Sequence, residues 1–340
     1  MNDEPKRIAI VGAGIIGLYL AWKLKEQGHF VSVFEKRQQQ EVGKKPCSAL
    51  YSERIKNFIP QIENCIENKI KSCFIVFPKK KIKLEFLPNH LVINREKLIS
   101  VLINLVKKSG GEIFFQQEIK EIPKNFDYII ACDGAGSAIR RLLNLPNPKI
   151  KIGVQVFIQN VNQENFVTTY PTKNGFCWKI PRGSCSEYGI MGEQETINKE
   201  FKDFLKKQEI KNQGKILSAG IPQPHFSFKN SGLIFSNQDN VALCGDACGL
   251  TKPWSGGGII WGLIQADILL KNFPNFKAYQ KECSQKFGLF IFKGIISKKI
   301  IYFLGNYFPS LIPSKIRYDN DFPFFIKSFF YSFFQKNKEI

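Results

Sequence analysis

The sequence predicts an α/β fold with a parallel nucleotide-binding sheet, an inserted antiparallel sheet and a helical C-terminal region. A strand, a glycine loop, a helix and a second strand occupy the first 35 residues, and strand-like apolar runs fill much of 151–235. A short strand with its own glycine-rich turn returns after position 240. We therefore predict a discontinuous domain at 1–150 plus 236–272, an antiparallel-sheet domain at 151–235, and a helical, aromatic-basic region at 273–340.

The composition is that of a folded protein with an excess of positive charge. The 340 residues are 44% hydrophobic and 23% charged, with a formal net charge of +20. This excess favours an anionic partner, such as a membrane surface or an acidic protein, although a generally lysine-rich composition explains it equally well. No basic run is interleaved with stacking aromatics, so no nucleic-acid partner is expected.

The cysteine count indicates a reducing compartment, and the hydropathy predicts no membrane-spanning helix. The nine Cys are odd in number, and no signal peptide precedes the first strand, which favours free thiols in the cytoplasm. Cys244 and Cys248 form an isolated pair, so no metal site is expected. No run of about 18 apolar residues predicts a helix that spans a membrane.

The first strand leads into a glycine loop that is typical of dinucleotide binding. The apolar run Arg7–Val11 is followed by Gly12-Ala13-Gly14-Ile15-Ile16-Gly17, which fits GxGxxG. Gly12 permits the tight turn, Gly14 lets the backbone approach a pyrophosphate, and Gly17 lets the helix pack close to the strand. The start of the helix offers N–H groups and a positive dipole end to phosphates, so the unit is predicted to be Rossmann-like.

The second strand ends in an acid at the position that such a unit requires. The run FVSVF closes with Glu35, eighteen residues after Gly17, and Lys36 follows. Glu35 can accept both ribose hydroxyls of an adenosine, and its charge disfavours a 2′-phosphate. A purely structural glycine turn is the alternative. The pattern alone does not separate FAD from NAD.

The remaining elements follow from alternation and capping. Residues 73–94 alternate as strands, and Asn94 can cap a helix from Arg95 to Ser109. The runs EIFF and DYIIACDG predict further strands. A helix at about 199–208 interrupts the antiparallel runs, and another is predicted near 258–270. After Pro274 the pattern is helical, basic and aromatic.

Three segments resemble the FAD flavoproteins of the aromatic-hydroxylase superfamily. Asn94-Arg95-Glu96-Lys97-Leu98 is similar to the superfamily's Arg-x-x-Leu segment, and Ala131-Cys132-Asp133-Gly134-Ala135-Gly136-Ser137 to its Asp-Gly motif. Leu243-Cys244-Gly245-Asp246-Ala247 is similar to its Gly-Asp motif, in which the acid meets the ribityl chain. The resemblance implies that the dinucleotide is FAD.

Three further segments resemble the geranylgeranyl reductase family within that superfamily. Lys45-Pro46-Cys47-Ser48-Ala49-Leu50, with Arg54 after it, is similar to the family's cysteine loop beside the isoalloxazine. Pro253-Trp254-Ser255-Gly256-Gly257-Gly258-Ile259 is similar to its glycine turn, and Gly175-Phe176-Cys177-Trp178-Lys179-Ile180-Pro181 to its aromatic strand. The likeness covers about Arg7 to Leu270. It departs from the family at Ser48 and Ile180, and in the short length of the chain.

The resemblance implies a reductase that saturates carbon–carbon double bonds of geranylgeranyl chains, as archaeal members do on membrane ether lipid precursors. The antiparallel domain would then hold the substrate. Cys47 is the candidate proton donor, and Phe176 and Trp178 are candidates to line the prenyl channel and favour developing positive charge. A packing cysteine and ordinary sheet-core aromatics are the alternatives.

The resemblance also implies a set of residues that contact FAD. These are Gly12, Gly14, Ile16, Gly17, Glu35, Lys36, Cys47, Ser48, Leu50, Arg54, Arg95, Asp133, Gly134, Gly245, Asp246, Gly257, Gly258 and Ile259. A plain glycine turn at 256–258 and surface positions for Arg54 and Arg95 remain alternatives.

Two other functions remain open. The Trp178-Lys179-Ile180-Pro181 stretch also looks like a halogenase motif, so a flavin monooxygenase or halogenase-like enzyme on an apolar substrate is one alternative. A membrane-peripheral flavoprotein that only transfers electrons is the other. The electron donor, NAD(P)H or reduced ferredoxin, is undetermined.

The C-terminal segment, roughly Phe287 to Phe334, is predicted to lie on a membrane. Its lysines could face anionic headgroups while Phe and Ile insert, which would place the protein at the periphery of the cytoplasmic membrane. A helical cap packed on the sheet domain is the alternative.

Overall fold

The computed structural model describes residues 4–211, 214–224 and 239–322. The chain forms two compact units. The first comprises Met1–Lys45, Arg95–Ile150 and Ile221–Phe292, and the second Pro46–Asn94, Lys151–Gly220 and Lys293–Ile340.

The elements alternate between strands and helices in the first unit and are mainly strands in the second. The strands are β1 Arg7–Val11, β2 Phe30–Glu35, β3 Leu50–Ser52, β4 Ile66–Phe77, β5 Lys80–Ile93, β6 Glu112–Phe115, β7 Tyr128–Ala131, β8 Lys149–Asn162, β9 Phe166–Pro171, β10 Phe176–Pro181, β11 Gly183–Gly192, β12 Leu217–Gln223, β13 Val241–Leu243 and β14 Lys315–Tyr318. The helices are α1 Ile15–Glu26, α2 Ile55–Phe58, α3 Arg95–Lys108, α4 Ala138–Leu142, α5 Ile197–Lys207, α6 Ile259–Asn272 and α7 Phe276–Tyr307.

A five-stranded parallel sheet forms the centre of the first unit, in the order β13-β7-β1-β2-β6. Its central strands are continuous apolar runs, as parallel strands covered by helices require. Helix α1 packs against α3 and α6. The predicted Rossmann-like α/β fold is confirmed, and its loops gather at the carboxyl ends of β1, β7 and β13.

The second unit is built on a mainly antiparallel sheet in the order β12-β8-β11-β10-β9-β4-β5-β14, with β3 on β5. On one face, α5 packs its apolar side against Val154, Val156, Tyr188 and Ile190. Residues 46–94 form β3 to β5 and pair within this sheet, whereas the predicted boundaries assigned them to the nucleotide-binding domain. The long hairpin of β4 and β5 explains the difference, because β4 also pairs with β9.

The C-terminal region is helical through α7, but a strand follows it. Lys315–Tyr318 pairs with Lys83–Phe86 of β5, which adds one short strand to the region predicted to be helical. The four residues KIRY alternate in burial and end on the buried Tyr318, which suits a sheet edge. The predicted membrane-facing residues from position 323 onward lie outside the described residues. Within the described part of the chain, no helix has the length and hydropathy needed to cross a membrane.

Candidate functional site

The glycine loop after β1 contains two crowded glycines and one open glycine. A Cβ placed on Gly12, whose φ is +102°, would lie 2.6 Å from the Cys132 carbonyl oxygen. A Cβ on Gly17 would lie 2.0 Å from the Gly12 carbonyl oxygen. A Cβ on Gly14 would meet no atom within 4 Å. The loop therefore packs tightly at Gly12 and Gly17, and it is open at Gly14 beside the start of α1.

Glu35 brings a carboxylate to this loop from the end of β2. Its Oε2 accepts a hydrogen bond of 2.9 Å from the Ala13 N–H, and its Oε1 accepts one of 3.0 Å from the Arg37 N–H. The parallel register of β1 and β2, which pairs Val11 with Phe34, sets this approach. Lys36 is exposed beside it.

Asp133 follows β7 and has one carboxylate oxygen without a partner. Its Oδ2 accepts hydrogen bonds from the Ala138 and Ile139 N–H groups at 2.6 and 3.3 Å, which caps α4. Its buried Oδ1 meets no donor among the described residues. Burial raises the pKa of Asp133, and hydrogen bonding to the Ser137 side chain and to the Ile139 and Ala138 N–H groups opposes that rise. A buried acceptor of this kind suits a donor on a bound ligand.

The Gly-Asp motif after β13 meets the first glycine loop at Ile16. Gly245 has a φ of +65°, and a Cβ on it would lie 3.4 Å from Ile16 Cγ1. Its N–H donates to Gln265 Oε1 at 2.7 Å. Asp246 lies next in the chain, and a Cβ on Gly258 would come within 2.9 Å of Asp246 Oδ1. The close packing of the turn on the Asp246 carboxylate therefore requires glycine at position 258.

The turn before α6 is stabilised by backbone hydrogen bonds around Lys252. The Gly256 N–H donates to the Lys252 carbonyl at 2.8 Å, and the Lys252 N–H donates to the Gly257 carbonyl at 3.0 Å. Ile259 is the first residue of α6, and Gly258 immediately precedes it. The turn thus presents backbone and a helix start at the position that the sequence predicted.

Lys45 joins several of these elements and was not among the predicted FAD contacts. Its ammonium lies 3.3 Å from Asp246 Oδ2, and 4.0 Å from a Cβ placed on Gly134. Its carbonyl accepts a hydrogen bond of 3.5 Å from Arg95 Nη1.

Gln265, which accepts the hydrogen bond from the Gly245 N–H, was also absent from the predicted site residues. Gln265 is a polar amide within the largely apolar helix α6, and this feature of the sequence indicates a hydrogen bond to a buried backbone group.

The first unit thus carries the two glycine loops at the carboxyl ends of its parallel strands. The acids at or after these ends are Glu35, Asp133 and Asp246, and Lys45 and Arg95 lie beside Asp246 and Lys45, respectively. The open Gly14 at the start of α1 fits a pyrophosphate, Glu35 fits a ribose, and the unpartnered oxygen of Asp133 fits a hydroxyl or N–H donor. These features fit FAD, and Asp246 with Gly258 would complete the site at its flavin half.

The cysteine loop, with the predicted FAD contacts Cys47, Ser48 and Leu50, lies in the second unit. The half-exposed Cys47 thiol accepts a hydrogen bond of 3.4 Å from the Ala49 N–H and lies 3.7 Å from the Tyr51 hydroxyl. Ala49 has a φ of +47°, so the tight turn falls there. Leu50 begins β3 and is half-buried.

Arg54 has partners within its own unit. Its guanidinium forms two hydrogen bonds of 2.8 Å with Asp319 and one of 2.9 Å with Asp321. These acids hold its pKa above the ordinary value against the opposing effect of burial. Arg54 therefore fastens the segment after β14 to the sheet, and its contact with the flavin stays a prediction.

Phe176 and Trp178 lie on β10, and Trp178 is almost fully buried. Its indole N–H donates to Glu187 Oε1 at 2.8 Å. Gly189 lies opposite in register, and a Cβ there would come within 2.2 Å of the indole. The Phe176 and Trp178 ring centroids are 5.8 Å apart. Their role toward a prenyl chain remains a prediction.

The comparisons agree with the site. The family described as NAD(P)-binding Rossmann-like domain matches residues 10–42. A digeranylgeranylglycerophospholipid reductase of Methanococcus vannielii is 25% identical over 82% of this chain and 80% of that protein. A reductase of the same name from Methanosphaera stadtmanae is 23% identical over 86% of this chain and 83% of its own. The chain resembles the geranylgeranyl reductases.

Solved structures show the same fold. A geranylgeranyl bacteriochlorophyll reductase-like protein of Thermoplasma acidophilum has a TM-score of 0.70 at 19% identity, covering 87% of each chain. A probable FAD-dependent monooxygenase of Pseudomonas aeruginosa has a TM-score of 0.66 at 15% identity, covering 86% of this chain and 95% of that one. The comparisons and the site together support FAD as the cofactor and an oxidoreductase as the class of enzyme.

Proposed function

We propose that this protein is an FAD-dependent reductase that saturates carbon–carbon double bonds of geranylgeranyl chains, with membrane ether lipid precursors as substrates. One observation carries the proposal: a site that fits FAD occurs in a chain that is similar, over four fifths of its length, to relatives named for this reaction. The antiparallel unit would bind the lipid.

The reaction requires an acid and a dry pocket, because an isolated alkene is a poor hydride acceptor. When bound and reduced, FAD supplies the hydride. We assign the proton to Cys47 Sγ. The Ala49 N–H already donates to this sulfur, and the Tyr51 hydroxyl lies 3.7 Å away, so both groups can stabilise the thiolate that remains. Trp178 and Phe176 would line the path of the chain.

The first experiment separates this reaction from oxygen chemistry. The purified protein is reduced chemically without oxygen, geranylgeranyl lipid is added, and flavin absorbance and product mass are followed. The expected result is reoxidation of the flavin, with a gain of two hydrogens for each bond reduced. A flavin that stays reduced until oxygen is admitted contradicts the proposal. It would favour the monooxygenase alternative, which the Pseudomonas structure supports at the level of the fold.

Paired cysteine variants test the proton donor. Cys47→Ala is expected to lower the alkene-dependent reoxidation about 100-fold, in the range of general acid contributions, while FAD content is kept. Cys185→Ala is the control, since Cys185 is another half-buried thiol of the same unit. Equal rates in the two variants would remove Cys47 from the mechanism. They would also favour the electron-transfer alternative if no lipid product formed.

We also propose that the second unit docks on an anionic membrane surface. Large apolar side chains at Ile296, Ile300, Phe303 and Tyr307 are exposed at spacings of four, three and four along α7, which places them on one helix face. The exposed Phe308 and Leu311 follow the helix. The exposed cations Lys299, Lys315 and Arg317 lie nearby in the chain. An apolar strip beside cations fits the interface of an anionic bilayer, from which a lipid substrate would be taken.

A further inference from the structure

Arg182 lies at the centre of a buried charge network in the second unit. Its Nε donates to Glu67 Oε2 at 2.8 Å, and its Nη2 lies 2.7 Å from the same oxygen. Its Nη1 donates to Glu187 Oε2 at 2.8 Å and to the Ser48 carbonyl at 3.1 Å. Its Nη2 also donates to the Ile93 carbonyl at 3.2 Å. The five N–H donors of the guanidinium therefore all have acceptors.

Glu187 is the buried counter-charge. Its side chain is fully buried, and Arg182 is 8% exposed. Burial raises the pKa of Glu187, and the Arg182 charge 2.8 Å away is the main effect that opposes the rise. A buried pair of this kind contributes little net stability compared with apolar side chains of the same volume. The hydrogen-bond geometry of the Arg182–Glu187 pair therefore says more about its role than its contribution to stability does.

One end of the network holds the cysteine loop. Arg182 binds the carbonyl of Ser48, the residue after Cys47, and the Ile93 N–H donates to the next carbonyl, that of Ala49, at 3.0 Å. The carbonyl of Ile93 in turn accepts from Arg182. The loop is thus tied at two successive peptides, one of them directly by the guanidinium.

The other end holds the Trp178 indole. Glu187 uses Oε2 for Arg182 and Oε1 for the Trp178 N–H, at 2.8 Å in both cases. The absent side chain at Gly189 provides the space for the ring. A single ion pair therefore sets both the path of the Cys47 loop and the orientation of Trp178.

We propose that Arg182 and Glu187 are positioning residues that keep the Cys47 loop and the Trp178 indole in one fixed arrangement for alkene reduction. The inference rests on the proposed function, because it takes Cys47 as the proton donor and Trp178 as part of the channel wall. Displacement of a reacting group by about 1 Å can cost about 100-fold in rate. Neither residue needs to touch the substrate for this effect.

Two conservative variants separate positioning from folding. Glu187→Gln keeps the shape and an acceptor for the indole but removes the charge that faces Arg182. Arg182→Lys keeps the charge but cannot reach four acceptor groups with one ammonium. Lys206→Arg is the control, since Lys206 is exposed in the same unit and has no assigned role. Each variant is assayed as the FAD-loaded protein for melting temperature, for flavin reoxidation by oxygen and for flavin reoxidation by geranylgeranyl lipid.

The expected result is selective. Glu187→Gln and Arg182→Lys should lower kcat for the lipid about 10- to 100-fold, with KM and the oxygen reaction changed about threefold or less. A role confined to folding would lower the melting temperature, FAD content and both reoxidation rates together, which would overturn the proposal. Unchanged lipid kinetics in Glu187→Gln would overturn it as well, and this test holds even if Arg182→Lys does not fold.

A second readout does not depend on the reaction. Alkylation of Cys47 by iodoacetamide, followed by peptide mass, reports the position of the loop. Both variants should change this rate about fivefold or more, with Lys206→Arg like the wild type. If the wild-type flavin is not reoxidised by lipid, the proposed function fails while a changed alkylation rate still supports the positioning role. Alkylation rates equal to the wild type in both variants would refute that role.

Discussion

At the scale of single residues, the glycines of the first loop have separable functions. Gly17→Ala is expected to destabilise the fold by about 2 kcal/mol or more, because its Cβ would lie 2.0 Å from a backbone oxygen. Gly14→Ala should change stability by about 0.5 kcal/mol or less, since its Cβ meets open space at a φ of −73°. The methyl group should nevertheless weaken FAD binding. Thermal unfolding without FAD and a titration with FAD measure the two effects, and wild-type FAD affinity in Gly14→Ala would contradict the assignment.

The thiols should also differ in reactivity. Burial raises the pKa of Cys73, Cys177 and Cys248 to about 12 in each case. At pH 8 these groups are neutral thiols, and since the thiolate is the reactive form they should not be alkylated in the native protein. The half-exposed Cys47 should be labelled. Peptide mass after a short treatment with iodoacetamide measures this, and labelling of Cys177 as fast as Cys47 would show that the sheet opens.

The positions of candidate site residues were predictable where they depend on local spacing. The glycine pattern, Glu35 and Asp246 follow from short motifs whose geometry is set within a few residues of the chain. Arg182 was not predicted, because its partners come from positions 48, 67, 93 and 187, which only the folded sheet brings together. A glutamate within the apolar strand SCSEYGIMG was the available signal that a cation would be buried beside it.

At the scale of elements, helix α7 carries Lys298, and burial lowers the pKa of its ammonium group. The pKa of Lys298 falls from 10.5 to about 8 through burial and, to a smaller extent, the charge of Lys151. The folded state thus binds this proton less tightly than the unfolded state. Its charged form costs stability fully below pH 8, and the cost disappears as the pH approaches 10.5.

The substitution Lys298→Met should therefore stabilise the protein at pH 7 by about 1 to 3 kcal/mol. The gain should shrink between pH 8 and pH 10.5. Denaturant unfolding at pH 7, 9 and 10 measures it. Lys299→Met, at an exposed position of the same helix, is the control and should show no such trend. A gain that stays constant with pH would contradict the titration of Lys298.

Elements were predictable where the apolar pattern has a clear period. The βαβ start and the helices α3 and α5 lie close to their predicted bounds. The assignment of β3 to β5 was not predictable, because strands that alternate in polarity fit an added edge of either sheet. The pairing of β4 with both β5 and β9 assigns these strands to the antiparallel sheet, and no local feature of residues 66–77 predicts this pairing.

At the scale of the whole molecule, the charge of +20 favours an acidic electron donor over a neutral one. If a ferredoxin-like protein reduces the flavin, the second-order rate constant should fall about tenfold or more between 20 and 200 mM salt. Stopped-flow absorbance measures it, and reduction by dithionite provides the comparison. A rate constant that is independent of salt would favour NAD(P)H or an uncharged docking face.

The proposed membrane binding would combine the same charge with the exposed apolar strip of α7. Phe303 and Tyr307 are 55% and 70% exposed, and insertion of such side chains contributes about 1.5 kcal/mol or more each. The double variant Ile300→Ser/Phe303→Ser should therefore lower the partition onto vesicles of phosphatidylglycerol and phosphatidylcholine about tenfold or more. Phe30→Ser, which removes an exposed aromatic side chain of the first unit, is the control. Cosedimentation measures the partition.

The lipid dependence decides whether charge contributes. Binding should be stronger on vesicles with phosphatidylglycerol than on pure phosphatidylcholine, and salt should weaken it, because Lys299, Lys315 and Arg317 would face anionic headgroups in the proposed docking. Equal binding by the double variant and the wild type would contradict docking through α7. The lipid substrate would then have to reach the antiparallel unit from solution or through another surface, so this measurement also tests how an insoluble prenyl chain is delivered to the enzyme.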